Sequence, residues 1–332
     1  MEIIDKYKVC TDLLEQIREQ LTRGKKSKCV VFTPVPVIPS DMNDDLGCGT
    51  SSQLQVGDHG YYITSAVKQK RAVLTQLIEK YGTDRVSSVV CQGNYLRPTE
   101  VKDWTHLPYL TQYDWEVDID AEERTVSTLI KYVNRIWTAV RAVYDKYNST
   151  VCRSRYPRYV TAEQLCRLYP DKIPDDRVRQ YMEDKDCDAL FVIGIGADLS
   201  DGKPHDSRAK DYDDYSTITK YTGSDCKELH FCTVVDLHQS DDQTVTGLNG
   251  DLFVRYGQHT KDKVIELMSC GIRVDAAALK RQMGTDIFYS EYHKSIASNK
   301  YRLTIGGGLG QERTLMYIFN LDDIQDTYPT LS

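Results

Sequence analysis

Hydrophobic positions recur along this chain with two periods, one helical and one strand-like. Ile3, Tyr7, Cys10, Leu14, Ile17 and Leu21 lie four and three apart and predict one face of a helix that ends near Gly24. Cys29 to Ile38 is β-rich but carries Pro34 and Pro36, with Pro39 just beyond. Proline cannot donate to a ladder, so this is read as an edge or interface strand. Asn43 to Ser52 is a polar loop bearing Asp44 and Asp45, and Tyr61 to Thr64 a short strand. Ser65 is the expected N-cap of a helix carrying Val67, Leu74, Leu77, Ile78 and Tyr81, stopped by Gly82.

Ser87 to Gln92 and Tyr113 to Ile119 read as paired strands, and the connection between them is long enough to carry function. Ala121 to Tyr147 is the clearest helix, with Val126, Leu129, Ile130, Val133, Ile136, Trp137, Val140, Val143 and Tyr144 on one core-facing stripe. Thr161 and Gln164 have the spacing of a capping box. Asp188 to Gly196 is a buried strand, followed by a loop from Ala197 to Ser216. Leu229 to Leu237 and Asp251 to Tyr256 are further strands, separated by a polar insertion, Gln239 to Thr246. Lys261 to Met268 and Asp275 to Met283 read as helices. No repeat and no linker divides the chain, so one α/β (α+β) domain spanning residues 1–332, with a largely antiparallel sheet, is expected.

The stretch TIGGGLGQER, Thr304 to Arg313, reads as strand, glycine turn and helix. Gly306, Gly307, Gly308 and Gly310 remove the Cβ atoms from that turn, which lets a ligand approach the backbone and permits positive φ. Amides at the following helix start would face an anion. Arg313 in the first helical turn could stack on a base or grip a phosphate.

Composition narrows the classes. The chain has 332 residues, 40% hydrophobic and 27% charged, enough for a large core. Its apolar runs are too short to span a bilayer, and no secretory signal opens it. Ten cysteines without a CxxC pair argue against a zinc or redox motif and read as reduced thiols of a cytoplasmic protein. The net charge of −7 argues against broad nucleic-acid binding.

Two further stretches carry chemistry. Ser200 to Ser216 packs Asp201, Asp206, Asp211, Asp213 and Asp214 among Lys203, Arg208 and Lys210. Most of these carboxylates are expected to be solvated. The loop nevertheless follows a buried strand with a Gly-x-Gly end, at a carboxyl edge where α/β sites are built. His205 beside Asp206 lacks a second histidine at ligand spacing, so a local hydrogen-bonding role is expected. Asp251, after Gly247 and Gly250, and Glu266 in the next element are two carboxylates near the glycine-rich stretch, the set that Mg²⁺ with a nucleotide requires.

TSAVKQKR (Thr64 to Arg71), YLRPTE (Tyr95 to Glu100), TQYDWE (Thr111 to Glu116), SDG..HD.RA.DYDD, GLNGD, GIRVDA and TIGGGLGQER occur in that order. With them the chain resembles ammonia-dependent asparagine synthetase, the aspartate–ammonia ligase, over essentially its full length. The resemblance implies a class II aminoacyl-tRNA synthetase-like core, a mainly antiparallel mixed sheet flanked by helices, and a homodimer. It implies AMP-forming synthesis of asparagine from aspartate, ammonia and ATP through a β-aspartyl-adenylate, with Mg²⁺ held by Asp251 and Glu266.

By the same resemblance Arg97 clamps the α-phosphate, and Arg313 packs on the adenine and the phosphate end. Ser269, Arg273, Gly308 and Gly310 complete the nucleotide site. Lys70 binds a substrate carboxylate beside Ser65, and Gln112 and Asp114 line the aspartate pocket. Asp44 and Asp213 are the carboxylates that could receive and deprotonate ammonium. Thr64 stands where bacterial relatives carry histidine, and the insertion Gly223 to Thr246 is longer than in short relatives. Two rival activities meet obstacles: an aminoacyl-tRNA synthetase needs an anticodon-binding domain and a basic face, and a glutamine-dependent synthetase needs a nucleophilic cysteine where Glu2 stands. An aspartyl-tRNA-synthetase-like paralogue without synthetase activity would have lost a phosphate arginine or a metal carboxylate, and all four are present.

Overall fold

A computed structural model describes residues 3–44, 53–148, 152, 154–221, 243–257 and 263–328. Its centre is an eight-stranded sheet formed by β1 (Lys28–Val31), β4 (Val86–Leu96), β5 (Tyr109–Asp118), β12 (Thr304–Gly310), β11 (Lys263–Ile272), β10 (Asn249–Tyr256), β7 (Ala189–Ile193) and β6 (Arg158–Thr161), in that spatial order. The two outermost pairs, β1 with β4 and β6 with β7, are parallel, and the inner pairs are antiparallel. Parallel neighbours need a crossover, and helices supply it. α2 (Val67–Tyr81) lies between β1 and β4 in the chain, and α4 (Ala162–Leu168) with α5 (Pro174–Asp184) between β6 and β7. Two short pairs stand apart, β2 (Val37–Ile38) with β3 (Tyr61–Tyr62) and β8 (Ile218–Tyr221) with β9 (Gln243–Thr246).

Period-two alternation on the inner strands sorts the two faces of the sheet. On β5, Tyr113, Trp115 and Val117 point into the main core, while Gln112, Asp114 and Glu116 take the opposite face. The core face is covered by α1 (Ile3–Thr22), α3 (Val126–Tyr147) and α8 (Gln311–Phe319), numbering the helices described. The α3 stripe falls as expected, from Val126 to Val143 buried, with Tyr144 packed against it. Burial of each such large side chain contributes about 1.5–3 kcal/mol. Thr125 caps α3 by accepting from the Thr128 amide at 3.1 Å, and Thr161 with Gln164 forms the expected capping box on α4.

Several expectations are corrected. Of Lys261 to Met268, expected as a helix, the described part, from Lys263 onward, forms β11, between β10 and β12, and residues 261 and 262 lie outside the described residues. Its apolar residues Ile265, Leu267 and Met268 mimic a helical period because a bulge shifts the β10–β11 register at Leu252/Phe253 and interrupts the alternation. The glycines of TIGGGLGQER lie within β12 rather than in a turn, and none of Gly306 to Gly308 or Gly310 has positive φ. They are needed for close approach: a Cβ on Gly306 would sit 1.9 Å from Glu116 Oε2, and one on Gly307 2.8 Å from the Trp115 ring.

The core face of α1 is Val9, Leu13, Ile17 and Leu21 with Cys10, leaving Tyr7 exposed and Leu14 only partly buried. Ser65 is not a cap; α2 starts after Ala66 without a side-chain cap. Gln243 to Thr246, expected within a polar insertion, is β9. The expected strand Leu229 to Leu237 lies outside the described residues.

Candidate active site

Four residues expected at the site stand in one row across the sheet. Asp251 on β10 is opposite Ser269 on β11, Ser269 opposite Gly308 on β12, and Gly308 opposite Asp114 on β5. The row lies on the face away from the main core. Gly308 and Gly310 leave a cleft above β12, part of a cavity of about 460 Å³. Asp44, Ser65, Lys70, Arg97, Gln112, Asp114, Asp213, Glu266, Ser269, Arg273, Gly308, Gly310 and Arg313 all line it. Of the residues expected from the sequence, Asp251 alone is absent from that lining.

One end of the cavity is built from buried charge. The first turns of α2 bury Lys68, Lys70 and Arg71, an unusual set for a helix start. Lys70 Nζ donates to Asp114 Oδ1 and to the Gly307 carbonyl, each at 2.8 Å. An ammonium carries three donors, so one remains for a ligand. Asp114 Oδ2 accepts from the Tyr95 hydroxyl at 2.6 Å. Burial, with Asp114 adding to it, raises the Tyr95 pKa well above its ordinary value, which keeps the hydroxyl a donor.

Arg273, expected at the nucleotide, lines the cavity while paired with two carboxylates. Its Nε and Nη2 donate to Glu116, at 2.9 Å for Nη2 to Oε2, and its Nη1 to Asp213. These pairs hold the guanidinium beside Gly306, at the Lys70–Asp114 end of the floor. Burial pushes the Asp213 carboxyl up, against the pull of Arg273 and Arg208.

Asp44 is buried, and its Oδ2 accepts from the Ser65 hydroxyl at 3.0 Å. Ser65 thus braces Asp44, and its Oγ also accepts from the Val67 amide at 3.4 Å. Asn43 Oδ1 accepts from the Asp44 amide and from both the amide and hydroxyl of Thr64, which fixes the backbone that presents Asp44.

The other end gathers arginines. Arg97, in the connection between β4 and β5, has its Nε buried without a hydrogen-bond partner. Arg313, in the first turn of α8, donates from Nη1 to Glu266 Oε2 at 3.2 Å, from Nε to the Thr105 carbonyl at 3.2 Å, and from Nη2 to His106 Nε2 at 2.7 Å. Burial acts to raise the Glu266 pKa, but Arg313 and Arg208 outweigh it and hold the carboxyl low. Asp251 is buried behind Arg208, whose Nη2 donates to both its oxygens. Burial pushes the Asp251 carboxyl up to about 7, with Arg208 pulling it down and Glu266 adding to the rise.

The acidic loop is not the solvated segment expected. Asp211, Asp213 and Asp214 are buried. Asp211 pairs with Lys68 at 2.8 Å and His293 at 2.9 Å, Asp213 with Arg273, and Asp214 with Arg124 at 2.7 Å. Asp201 and Asp206 remain exposed. His205 makes no local hydrogen bond through Nδ1, which is buried and unpartnered. The loop leaves β7 through Gly194 and Gly196, both at positive φ, where any other residue would be strained.

Among the described residues no group of three or more His, Cys, Asp or Glu could cage a metal. Asp251 and Glu266 fit a hard divalent cation whose remaining ligands are phosphate oxygens and water, which is how Mg²⁺ binds with nucleotides. Sequence reasoning missed Glu116, His106 and Arg208. Glu116 could have been found by alternation from Gln112 and Asp114. Arg208 lay inside a quoted motif, unassigned.

The fold is shared with class II aminoacyl-tRNA synthetases. Asparaginyl-tRNA synthetase from Entamoeba histolytica, in complex with asparaginyl-adenylate, superposes at TM-score 0.59 with 15% identity, over 98% of this chain and 66% of that one. The Pyrococcus horikoshii asparaginyl-tRNA synthetase, also complexed with asparaginyl-adenylate, gives 0.57 and 14%, over 97% and 67%. Aspartyl-tRNA synthetase from Entamoeba histolytica gives 0.54 and 13%, over 97% and 57%. This chain thus spans about two thirds or less of the length of these structures. The family described as AsnA, aspartate-ammonia ligase, matches residues 13–328. With its motifs gathered around one cavity in that fold, the chain belongs to the aspartate–ammonia ligase family.

Proposed function

We propose that residues 1–332 act as one catalytic domain that makes asparagine from aspartate, ammonia and ATP, releasing AMP and pyrophosphate. The observation that carries this reading is the convergence of the family's polar residues on one cavity, with a lysine–carboxylate end and an arginine end.

Aspartate lies over β12 with its α-carboxylate on the third donor of Lys70 and its ammonium group toward Gln112 and Asp114. A carboxylate is a poor electrophile, so its β-oxygen attacks the α-phosphorus of ATP and pyrophosphate leaves. Such a step needs positioning and neutralised charge more than covalent help. Arg97, with a buried unpartnered Nε, holds the α-phosphate, and Arg313 covers the adenine and the phosphate end. Mg²⁺ held at Asp251 and Glu266 would neutralise the phosphate oxygens. Ammonium enters beside Asp44, which accepts a proton. Ammonia then attacks the acyl carbon, and AMP departs.

We also propose a cytoplasmic homodimer. Exposed Ile4, Tyr7, Val31 and Val35, on α1, on the edge strand β1 and just after it, form the apolar surface that a second copy would cover. Among the described residues no helix is long and apolar enough to cross a membrane. The test of the activity is mass-spectrometric product analysis after mixing the protein with ATP, Mg²⁺, aspartate and ammonium. Asparagine with AMP in equal amounts is expected; ADP, or no asparagine, overturns the reading.

A further inference from the structure

We propose that Arg208 is an additional phosphate-binding residue. Its guanidinium pairs with Asp251, the carboxylate a metal would take, so that metal and nucleotide phosphates must enter together. The inference rests on the reading of an ATP-using site given above.

The geometry places Arg208 between the cavity and its carboxylate. Arg208 lines the cavity and Asp251 does not. One nitrogen, Nη2, donates to both Asp251 oxygens and reaches Ser269 Oγ at 3.4 Å. Ser269 is the cross-strand neighbour of Asp251, so the guanidinium spans the row that ends at Gly308 and Asp114. The other donors are poorly used. Nη1 reaches the exposed Asp206 at 3.3 Å and the Ser207 carbonyl at 3.0 Å, and Nε is buried with no partner. A guanidinium built solely to brace Asp251 would present two nitrogens in a fork, as Arg273 does toward Glu116. Here a single nitrogen holds both oxygens, Nη1 is held only by the exposed Asp206 and a backbone carbonyl, and Nε is spare for a phosphate oxygen.

Charge makes the two occupants of Asp251 exclusive. A divalent cation and Arg208 compete for the same two oxygens and repel each other. An incoming phosphate resolves the competition, because it matches the arginine fork and is itself a metal ligand. Arg208 then exchanges carboxylate for phosphate oxygen while Asp251 exchanges arginine for metal. The second candidate carboxylate is arranged likewise, since Glu266 holds Arg313 at 3.2 Å. Each carboxylate of the pair is thus occupied by an arginine that faces the cavity. The loop need not rebuild, because Asp201 on Arg177 and Asp211 on Lys68 tie it down on either side of Arg208.

The test uses the full chain with Mn²⁺ as the metal probe, followed by electron paramagnetic resonance without aspartate or ammonia. Arg208→Gln is expected to bind Mn²⁺ alone roughly tenfold more tightly than wild type, and Mn²⁺–ATP roughly tenfold more weakly, the size of one charged contact. Arg208→Lys, which keeps a cation, should bind Mn²⁺ alone as wild type does. Unchanged or weaker Mn²⁺ binding by a cooperatively melting Arg208→Gln protein overturns the proposal. Should that variant not fold, Asp251→Asn is read instead with inorganic tripolyphosphate and no metal. Release of Arg208 predicts tighter binding, and unchanged or weaker binding overturns the proposal. Neither arm requires turnover. A failure to make asparagine therefore sinks the proposed activity alone, and a failure of the exchange sinks this inference alone.

Discussion

Arg313 Nη2 donates a hydrogen bond of 2.7 Å to His106 Nε2, which joins the β4–β5 connection to the first turn of α8. An arginine can only donate, so Nε2 is the bare nitrogen and Nδ1 carries the proton, directed at Asp103 Oδ1 2.9 Å away. The chain Asp103–His106–Arg313 fixes a side chain proposed to cover the nucleotide. Thr105 contributes its carbonyl to the same arginine.

Loss of that link should act on nucleotide binding. The His106 ring is partly exposed, so its charged hydrogen bond is worth on the order of 1 kcal/mol rather than more. His106→Ala is expected to raise the KM for ATP about fivefold while leaving kcat and the KM for aspartate close to wild type. Steady-state kinetics check this, and an unchanged KM for ATP would show that His106 does not position Arg313.

The parts of this picture that were legible in the sequence, and those that were not, differ for physical reasons. The α3 stripe and the Thr161 capping box were plain because helix periodicity and capping are local. β11 was misread as a helix because an extra residue, Leu267, bulges from it and disturbs the alternation, and pairing with β10 and β12 is not written in the strand itself. The glycine run was singled out for close approach of a ligand and assigned to a turn, whereas it lies in a strand and protein side chains pack on it. What approaches Gly306 is Glu116, a residue 190 positions away in the chain, and only folding reveals it. The buried carboxylates of the acidic loop looked solvated for the same reason: their partners, Lys68, Arg124 and Arg273, lie on distant elements.

Arg97 offers a direct probe of the phosphate end. Its Nε is already buried without a partner, so truncation removes a ligand contact without breaking a hydrogen bond at that atom. Arg97→Ala is expected to lose about 2–4 kcal/mol of transition-state stabilisation, roughly 30- to 10³-fold in kcat/KM, with little change in melting temperature. Activity within threefold of wild type would reject the assignment.

Asp44 separates the two halves of the reaction. A general base contributes roughly 10²–10⁴-fold, and Asp44→Asn keeps the acceptor for Ser65 while removing basicity. The variant should still exchange labelled pyrophosphate into ATP when aspartate is present, yet make little asparagine. Equal loss of exchange and synthesis would assign Asp44 to aspartate binding and pass the base role to Asp213.

His205 gives a stability prediction with a definite sign. Burial pushes its pKa down from 6.5 to about 4, against the pull of Asp206. The folded state therefore binds fewer protons than the unfolded one, so stability is intact above pH 6.5 and is lost as pH falls toward 4. The loss between pH 7.5 and 5 is on the order of 2 kcal/mol. His205→Phe removes the titrating group at a position where Nδ1 has no partner to lose. Its melting temperature should fall less steeply over that range than wild type, and parallel curves would contradict the argument.

The central claim is that the aspartate β-carboxylate attacks the α-phosphorus of ATP in the cavity framed by Lys70 and Arg97. Aspartate labelled with ¹⁸O in its β-carboxylate tests it most directly, by mass spectrometry of the nucleotide formed with ATP, Mg²⁺ and ammonium. One labelled oxygen in AMP for each asparagine made is the predicted result. Label in inorganic phosphate alongside ADP, or unlabelled AMP, would contradict the account.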